Sequence, residues 1–327
     1  MIVVTGATGF LGRHVVTALL AGGHPVRALV RQPSRALGPL GVEQALGDVE
    51  EPGTLGAAFA GAHAVLHLAG LVSRSSADAT RMMRVHVDGT RHVIAAALAA
   101  GVPRMILASS SGTTAVSATD GVVATEASPH ALELVKGWPY YLSKIYQERL
   151  ALAETRLEVV ALLPSLLLGP GDARVSSTED VLRFLQRRIP VVPDGGLNFV
   201  DVRDVATAFV SALERGRPGE RYLLGGPNWT LAKFFGRLER LAKVPAPRLR
   251  VPARWARFGA ELAERFAEWR GGEPYVDRVS VEMAEHFWYL DASKARRELG
   301  FEARDPQETL LDTVRDLRAR FPGVDRR

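Results

Sequence analysis

The chain begins with a short β-branched stretch that runs directly into a glycine-rich turn and then into an apolar helical pattern. Residues 2–4 predict a buried strand, and glycines follow at Gly6, Gly9 and Gly12. Strand, glycine turn and helix in this order are typical of the first unit of a dinucleotide-binding sheet. Gly6 permits the tight turn, Gly9 lets the backbone approach a pyrophosphate, and Gly12 lets the helix pack closely on the strand. The free N–H groups at the start of the helix are then expected to bind the phosphates.

The composition excludes several classes of protein. The 327 residues exceed a typical domain of about 100–150 residues, so one large domain or two interlocked domains are expected. The net charge of +5 is spread along the chain without a basic block, which argues against nucleic acid as a partner. There is no cysteine, and the eight histidines lack ligand spacing, so neither thiol chemistry nor a metal site is expected. Without a charged leader or an apolar run of about 20 residues, the sequence indicates a cytoplasmic protein with no integral membrane span.

Strand and helix patterns alternate through the first half of the chain. Strands are predicted at 24–30, before Gly47, and at 64–69, 104–108 and 158–163, and long helices at 82–100 and 140–153. This alternation predicts an α/β fold with a doubly wound parallel sheet of the Rossmann type, whose ligand lies beyond the carboxyl ends of the strands. We expect a nucleotide-binding domain at 1–165, to which 198–226 returns. Residues 166–197 and 227–327 then form a smaller, mostly helical substrate-binding cap.

The end of the second strand indicates which dinucleotide binds. An acidic residue there would hydrogen-bond the ribose 2′-hydroxyl and repel a 2′-phosphate. This chain has Arg31 and Arg35 instead, with no acidic residue in reach. Arginine can bind a phosphate in bidentate fashion, so NADP(H) is the predicted cofactor.

Seven motifs in order resemble the extended short-chain dehydrogenase/reductase family, also described as the NAD-dependent epimerase/dehydratase family. They are TGATGFLG at 5–12, HLAG at 67–70, HVDGT at 86–90, the YxxxK pair Tyr140 and Lys144, PSLLLGPG at 164–171, FVDVRDVA at 199–206 and KARRELGF at 294–301. The SSSGT at 109–113 and LPS at 163–165 are closest to dihydroflavonol-reductase-like and hydroxysteroid-dehydrogenase-like members.

The resemblance implies a set of cofactor-binding residues, with Asp48 at the adenine. They are Gly6, Thr8, Gly9, Phe10, Leu11, Gly12, Arg31, Arg35, Asp48, Val49, Leu68, Ala69, Gly70, Tyr140, Lys144, Pro164, Leu166 and Leu167.

The catalytic residues follow from the chemistry of the tyrosine–lysine pair. Tyr140 and Lys144 are four residues apart on a predicted helix and share a face, so the ammonium is expected to lower the pKa of the phenol. A serine hydroxyl must hold the substrate oxygen. The reductase branch implies Ser110, whereas an alignment with sugar epimerases implies Ser111. His86 stands where the family has asparagine, which helps to organise a proton-relay water in many relatives.

Three functions fit these residues. The favoured one is an NADP(H)-dependent oxidoreductase that reduces an apolar ketone or aldehyde, with Tyr140 as the proton donor. A nucleotide-sugar epimerase is the alternative within the family, but Leu197 stands near the position of its phosphate-binding arginine, and residues 166–168 are apolar. A non-catalytic NADP(H) sensor is the third, although such proteins generally lack the tyrosine–lysine pair.

Two expectations concern surfaces. Helices 82–100 and 140–153 could form a homodimer interface, as they often do in this family. Apolar residues also repeat at helical spacing at Trp255, Phe258, Leu262, Phe266 and Trp269. That pattern predicts a helix that serves as packing in the cap, as a lid over the substrate or as a membrane-surface face.

Overall fold

A parallel sheet organises the molecule. The computed structural model describes residues 1–189, 191–247 and 278–324. Seven strands pair in the order β3-β2-β1-β4-β5-β6-β9, and every neighbouring pair is parallel. The strands are β1 (Ile2–Thr5), β2 (Val26–Val30), β3 (Glu43–Leu46), β4 (Ala64–His67), β5 (Arg104–Ala108), β6 (Glu158–Pro164) and β9 (Arg221–Leu224). The predicted doubly wound sheet is confirmed.

Helices cover the sheet. Within the described ranges they are α1 (Phe10–Ala21), α2 (Gly56–Phe59), α3 (Ala79–Met83), α4 (Gly89–Ala99), α5 (Leu132–Val135), α6 (Pro139–Leu152), α7 (Glu179–Leu185), α8 (Val202–Arg215), α9 (Leu231–Ala242), α10 (Arg278–Ala284), α11 (Ser293–Leu299) and α12 (Pro306–Arg320). Helix α1 packs against α8, and α4 packs against α6 and α2. Strands β1, β4 and β5 carry near-continuous apolar runs because helices bury both faces of the sheet.

A second, smaller sheet lies outside the main one. It comprises β7 (Leu166–Leu168), β8 (Gly196–Asp201) and β10 (Asn228–Thr230), with β8 in the middle, parallel to β7 and antiparallel to β10. Its apolar side packs on α7, α9 and α12 around a separate cluster that includes Phe184, Phe199 and Phe234. The chain leaves the main sheet after β6 and returns to it at β9. The division into two domains stays a prediction.

The long helix predicted at 82–100 differs from the structure in one respect that matters for the site. It begins at Ala79, and its middle turn, Arg84–Asp88, is π-helical, so α3 and α4 are joined by a wider turn. Such turns recur at functional sites because they change the direction of one side chain.

Two further points concern the cap and the membrane. The apolar helix predicted at 255–269 lies outside the described residues. Within the ranges given above, none of the helices is both long and apolar enough to cross a bilayer.

Candidate active site

The turn after β1 is shaped by glycines that admit no side chain. Gly6 has a φ of +70°, and a Cβ there would lie 2.6 Å from the backbone of Leu68 and Ala69. A Cβ on Gly12 would lie 2.1 Å from the carbonyl oxygen of Gly6. Gly9 caps α1 without a side-chain hydrogen bond, and the first turn of α1 has no acidic residue. The amides at the start of α1 can therefore bind an anion.

The other predicted cofactor residues lie at the same edge of the sheet. Parallel strands end together, so the residues after β1, β2, β3, β4, β5 and β6 share the carboxyl edge. Arg31 and Arg35 are exposed after β2, and neither forms an ion pair with any residue that the structure describes. Asp48 and Val49 follow β3. The Asp48 carboxylate accepts a hydrogen bond from the amide of Glu50 (3.0 Å).

The remaining predicted cofactor-binding residues differ in how far they are exposed to solvent. Thr8 is exposed, whereas Phe10, Leu11, Leu166 and Leu167 are partly exposed. Pro164 is buried at the end of β6, and the next residue, Ser165, has a buried hydroxyl without a partner among the described residues. This unpaired hydroxyl and the glycine turn fit a dinucleotide, which has hydrogen-bonding groups to offer at both positions.

The loop after β4 joins the glycine turn to the catalytic helix. The amide of Ala69 donates to Thr5 Oγ1 (3.1 Å), which fixes the loop to the end of β1. An ideal Cβ on Gly70 would lie 3.1 Å from His86 Nε2 and 3.7 Å from Lys144 Nζ. The structure therefore brings the predicted HLAG segment beside the predicted lysine.

Ser110, Tyr140 and Lys144 meet beyond the end of β5. Ser110 begins the turn after the strand, and its hydroxyl accepts a hydrogen bond from the amide of Gly112 (3.4 Å) and lies near enough to the Tyr140 phenol to lower the pKa of that phenol. Ser111 lies within the same turn and is buried, and its carbonyl accepts hydrogen bonds from the amides of Thr114 and Ala115. The choice of Ser110 over Ser111 as the hydroxyl that holds a substrate oxygen stays a prediction.

Lys144 is buried and held by two acceptors. Its Nζ donates to the carbonyl oxygen of Ala108 (2.9 Å) and to Gln147 Oε1 (2.8 Å). An ammonium has three donors, so one is left for a phenolate or a ribose hydroxyl. Burial lowers the pKa of Lys144 to about 7, and the carboxylate of Glu148 opposes that shift.

The protonation of Tyr140 differs from the sequence-based expectation. Burial raises the pKa of the phenol, and the nearby Ser110 hydroxyl only partly opposes that shift. The described hydrogen bonds of Lys144 go to Ala108 and Gln147, and Lys144 is not among the groups that shift the pKa of Tyr140. The phenol therefore stays protonated at neutral pH, as a proton donor requires.

His86 occupies the π-helical turn and connects the loop after β4 to α6. Its Nε2 accepts from the amide of Leu71 (3.0 Å), so the proton lies on Nδ1 and is donated to Ser143 Oγ (2.8 Å). Ser143 in turn donates to the carbonyl oxygen of Tyr140 (2.8 Å). Burial holds the pKa of His86 well below its usual range, so the ring is neutral. This role was not foreseen, because the sequence does not reveal the π-helical turn.

A buried chain of polar side chains runs from Lys144 to the glycine turn. Gln147 donates to Thr90 Oγ1 (2.8 Å), which hydrogen-bonds His67 Nε2 (2.9 Å). His67 Nδ1 then hydrogen-bonds Thr5 Oγ1 (2.7 Å). His67 and Thr90 belong to the motifs at 67–70 and 86–90, whereas Gln147 was not predicted. Its position beside the catalytic lysine was the available signal.

Aromatic rings line the site next to Tyr140. The Tyr141 ring lies 5.0 Å from the Tyr140 ring and 5.0 Å from that of Trp288, and Trp288 lies 5.5 Å from Trp138. A Cβ on Gly112 would lie 2.2 Å from the Tyr141 ring, so this wall packs directly on the serine turn. The contact between Trp288 and α6 joins distant parts of the sequence, and no local pattern predicts it.

An ion pair joins the loop after β4 to α7, and a further hydrogen bond reaches α10. Arg74 donates to both carboxylate oxygens of Asp180 in α7 (3.2 and 2.9 Å) and to Ser280 Oγ in α10 (3.1 Å). Asp180 and Arg74 also influence the pKa of Tyr141, which burial raises to about 12. The pair therefore lies on the same side of the site as the aromatic rings.

The position near which sugar-nucleotide epimerases are expected to have a phosphate-binding arginine lies in β8. Leu197 is partly exposed in β8, and the neighbouring Asn198 donates to the carbonyl of Gly226 (3.0 Å) and to Asn228 Oδ1 (2.7 Å). Within the described ranges, no group of three histidine, aspartate or glutamate side chains is arranged to bind a metal.

Comparison with known proteins gives one family. Residues 2–225 match the sequence model of the NAD dependent epimerase/dehydratase family. A protein of Synechocystis sp. with the provisional name dihydroflavonol 4-reductase is 36% identical over 320 residues, which cover 95% of this chain and 92% of that one. The 2-alkyl-3-oxoalkanoate reductase of Stenotrophomonas maltophilia is 31% identical over 337 residues, which cover 97% and 98%. The predicted family and its reductase-like branch are thus confirmed.

Solved structures give the same fold. The crystal structure of gox2253 has a TM-score of 0.85 and 34% identity, covering 98% of both chains. MoeE5 in complex with UDP-glucuronic acid and NAD has a TM-score of 0.72 and 25% identity, covering 98% of this chain and 99% of that one.

Proposed function

Because this chain belongs to the NAD dependent epimerase/dehydratase family of extended short-chain dehydrogenases/reductases, we propose that it is an NADP(H)-dependent oxidoreductase that reduces an apolar ketone or aldehyde to an alcohol. The observation that carries the proposal is the placement of the Ser110 hydroxyl beside the Tyr140 phenol, with Lys144 one helical turn away and Gly70 next to that lysine. A carbonyl oxygen placed between the two hydroxyls would meet both a hydrogen-bond donor and an acid.

Each residue has one role in the proposed reduction. The reduced dinucleotide, when bound, supplies the hydride. Ser110 donates a hydrogen bond to the substrate oxygen and Tyr140 gives it a proton, so the alkoxide never forms free in a buried site. Lys144 directs its remaining N–H to the phenolate that results and stabilises the negative charge. Oxidation of the alcohol uses the same residues in reverse.

The preference for NADP(H) is supported by the residues after β2. No acidic residue stands between Val30 and Glu43, and the Glu43 carboxylate is engaged by Arg27 (2.6 Å). Arg31 and Arg35 are exposed and form no ion pair with the described residues, so their guanidinium groups are available to a 2′-phosphate.

The apolar substrate is supported by the surroundings of Tyr140. Tyr141 and Trp288 present ring faces and edges beside the phenol, where a sugar diphosphate would need charged partners. A reductase of 2-alkyl-3-oxoalkanoates, compounds with an alkyl chain next to a ketone, is among the relatives. We propose that the cap, residues 166–197 and 227–327, binds the apolar part of the substrate.

A nucleotide-sugar epimerase remains the alternative, because MoeE5 binds UDP-glucuronic acid and NAD on the same fold. The first experiment is titration with NADPH and NADH, followed by assays with alkyl 3-oxo esters, aromatic ketones and UDP-sugars. Tight NADPH binding and oxidation of NADPH on addition of a ketone are expected. NADH preference and interconversion of sugars without net cofactor oxidation would overturn the proposal.

Replacement of the Tyr140 phenol distinguishes an enzyme from a non-catalytic NADP(H) sensor. In Tyr140→Phe we expect a loss of turnover of about 10²–10⁴-fold with unchanged NADPH affinity, because only the proton donor is removed. Tyr146→Phe is the matched control, since Tyr146 is on the same helix and 43% exposed. Full activity of the Tyr140→Phe protein would remove Tyr140 from the mechanism.

A further inference from the structure

A carboxylate is buried between the catalytic helix and the serine turn. Glu148 lies in α6, one turn after Lys144 and two turns after Tyr140, and none of its surface is exposed. An ionised carboxylate in such a place needs hydrogen bonds on both oxygens to offset its lost hydration. Both oxygens of Glu148 have them.

One oxygen of Glu148 holds the turn that carries Ser110. Ser109 Oγ donates to Glu148 Oε2 (2.5 Å), and Thr113 Oγ1 lies 3.2 Å from the same oxygen. The amide and the hydroxyl of Thr113 also approach the carbonyl oxygen of Ser110 (3.1 and 2.9 Å). Ser109 and Thr113, on either side of the turn, are therefore bound through Glu148 to the helix that carries Tyr140 and Lys144.

The second oxygen of Glu148 joins the helix to the edge of the sheet. His130 Nε2 lies 2.9 Å from Glu148 Oε1, and Arg221 Nη1 of β9 donates to the same oxygen (3.1 Å). Arg221 also donates to the carbonyl oxygen of Ser128 (3.1 Å) and to Thr114 Oγ1 (3.1 Å). These partners keep the pKa of Glu148 below its ordinary value despite burial, so the carboxylate is charged.

Glu148 follows Lys144 by four residues in α6, so the two side chains are neighbours on one face of the helix. Burial lowers the pKa of Lys144 to about 7, and Glu148 is the group that opposes this shift. The other titratable groups around the lysine are His67 from β4, His86 from the π-helical turn and Tyr140 from α6. Burial keeps both histidines neutral and raises the pKa of the phenol, so none of the three is charged at pH 7.

We propose that Glu148 is a positioning residue of the catalytic centre: its carboxylate fixes the serine turn to α6, and its charge, one helical turn after Lys144, favours the ammonium form of that lysine. The proposal rests on the reductase function above, in which that ammonium stabilises the tyrosine phenolate. Glu148 itself touches neither the substrate nor the dinucleotide.

The direct test is titration of Lys144 by NMR in protein labelled with [ε-¹³C]lysine. The chain has five lysines, so the Lys144 resonance can be assigned from its loss in Lys144→Arg. In Glu148→Gln we expect Lys144 to titrate about one pH unit lower than in the unmodified protein. Glu154→Gln is the matched control, because Glu154 follows the same helix and pairs with Arg156 at the surface (2.9 Å). It should leave the Lys144 titration unchanged.

Activity supplies a second readout that a merely structural role would not change. Reduction should slow as pH rises through the titration of Lys144, so Glu148→Gln should move this alkaline limb to lower pH and reduce kcat about tenfold or more. In Glu148→Asp the charge is kept and the reach to Ser109 is shortened. We expect a lower kcat with the Lys144 titration close to that of the unmodified protein.

Glu148→Gln leaves Arg221 without a carboxylate, so the double variant Glu148→Gln/Arg221→Met is prepared as well. Arg221 is not among the groups that shift the pKa of Lys144, and the double variant should therefore show the same lowered titration. An unchanged Lys144 titration in either folded protein, or an equal shift in Glu148→Asp, would overturn the proposal. If the unmodified protein reduces no carbonyl compound, the proposed function fails, and the NMR titration still decides the role of Glu148.

Discussion

The turn after β1 positions its ligand with backbone, whereas α6 positions its reactive side chains through other side chains. In the turn, Cβ atoms on Gly6 and Gly12 would overlap backbone atoms at 2.6 and 2.1 Å, which cannot move aside. In α6, the backbone of Tyr140 accepts from Ser143, which is itself hydrogen-bonded to His86, and Lys144 donates to Gln147. The glycine turn should therefore lose its ability to bind the dinucleotide when a single methyl group is added. Helix α6 should lose function in steps, one hydrogen bond at a time.

Gly12→Ala tests the backbone side of this comparison and should have the largest effect. The new Cβ would overlap the carbonyl oxygen of Gly6 and force α1 away from the turn. Overpacking of this kind costs about 1–3 kcal/mol or more, so we expect NADPH affinity to fall about 100-fold in a fluorescence titration. Gly236→Ala in α9 is the control, because a Cβ there has open space. Equal NADPH affinity in the two variants would contradict the steric account.

Arg31→Ala tests whether binding of the dinucleotide also depends on side chains outside the glycine turn. Loss of a charge-assisted contact to a 2′-phosphate costs about 1.5–3 kcal/mol, so NADPH affinity should fall about 10- to 100-fold while NADH affinity stays unchanged. Arg35→Ala should have a smaller effect in the same direction. Arg156→Ala, an exposed arginine with 74% of its side chain accessible, is the control. A parallel loss for both dinucleotides would remove Arg31 from 2′-phosphate recognition.

The two regions also differ in how far sequence alone predicts them. Gly6, Gly12 and the Tyr140–Lys144 pair were predictable because each residue type has a steric or chemical property that acts over a few positions. The bounds of β5 were likewise correct, since its apolar run is closed by serines. Trp288 was not predictable, because its contact with Tyr141 joins segments far apart in the sequence. The protonation of Tyr140 was also misjudged, since burial is a property of the packed structure.

Gln147→Met tests the row of hydrogen-bonded side chains that supports Lys144, and it should have an intermediate effect. Methionine has a similar volume but cannot accept from Lys144 Nζ or donate to Thr90, so the ammonium loses one of its two described acceptors. We expect kcat to fall about tenfold with little change in KM, because the orientation of Lys144 matters most once the phenolate forms. Gln307→Met, on the exposed first turn of α12, is the control. A rise in KM alone would indicate that Gln147 serves binding instead.

His86 shows where the two regions are joined. Its ring connects Leu71, next to the glycine turn, to the backbone of Tyr140 through Ser143. The family resemblance implies asparagine at this position. It could not indicate that a π-helical turn at 84–88 gives the longer imidazole room to span both contacts. The departure from the family therefore has a structural role that depends on the local backbone.

His86→Asn should have the smallest effect on activity, about two- to threefold in kcat, because asparagine can reach one of the two contacts. Its clearer signature is the pH dependence of stability. The unfolded chain protonates His86 below pH 6.5, while the folded chain keeps it neutral, so this residue makes the protein less stable as pH falls. This loss grows as the pH falls below 6.5, until the folded ring itself takes up a proton. Urea unfolding at pH 7.5 and pH 5 should show a smaller acid-side loss of stability in His86→Asn than in the unmodified protein. His67, which burial also keeps neutral, leaves a similar loss in both. Equal losses would mean that His86 takes up a proton in the folded state, and its hydrogen bond from Leu71 would then have to break.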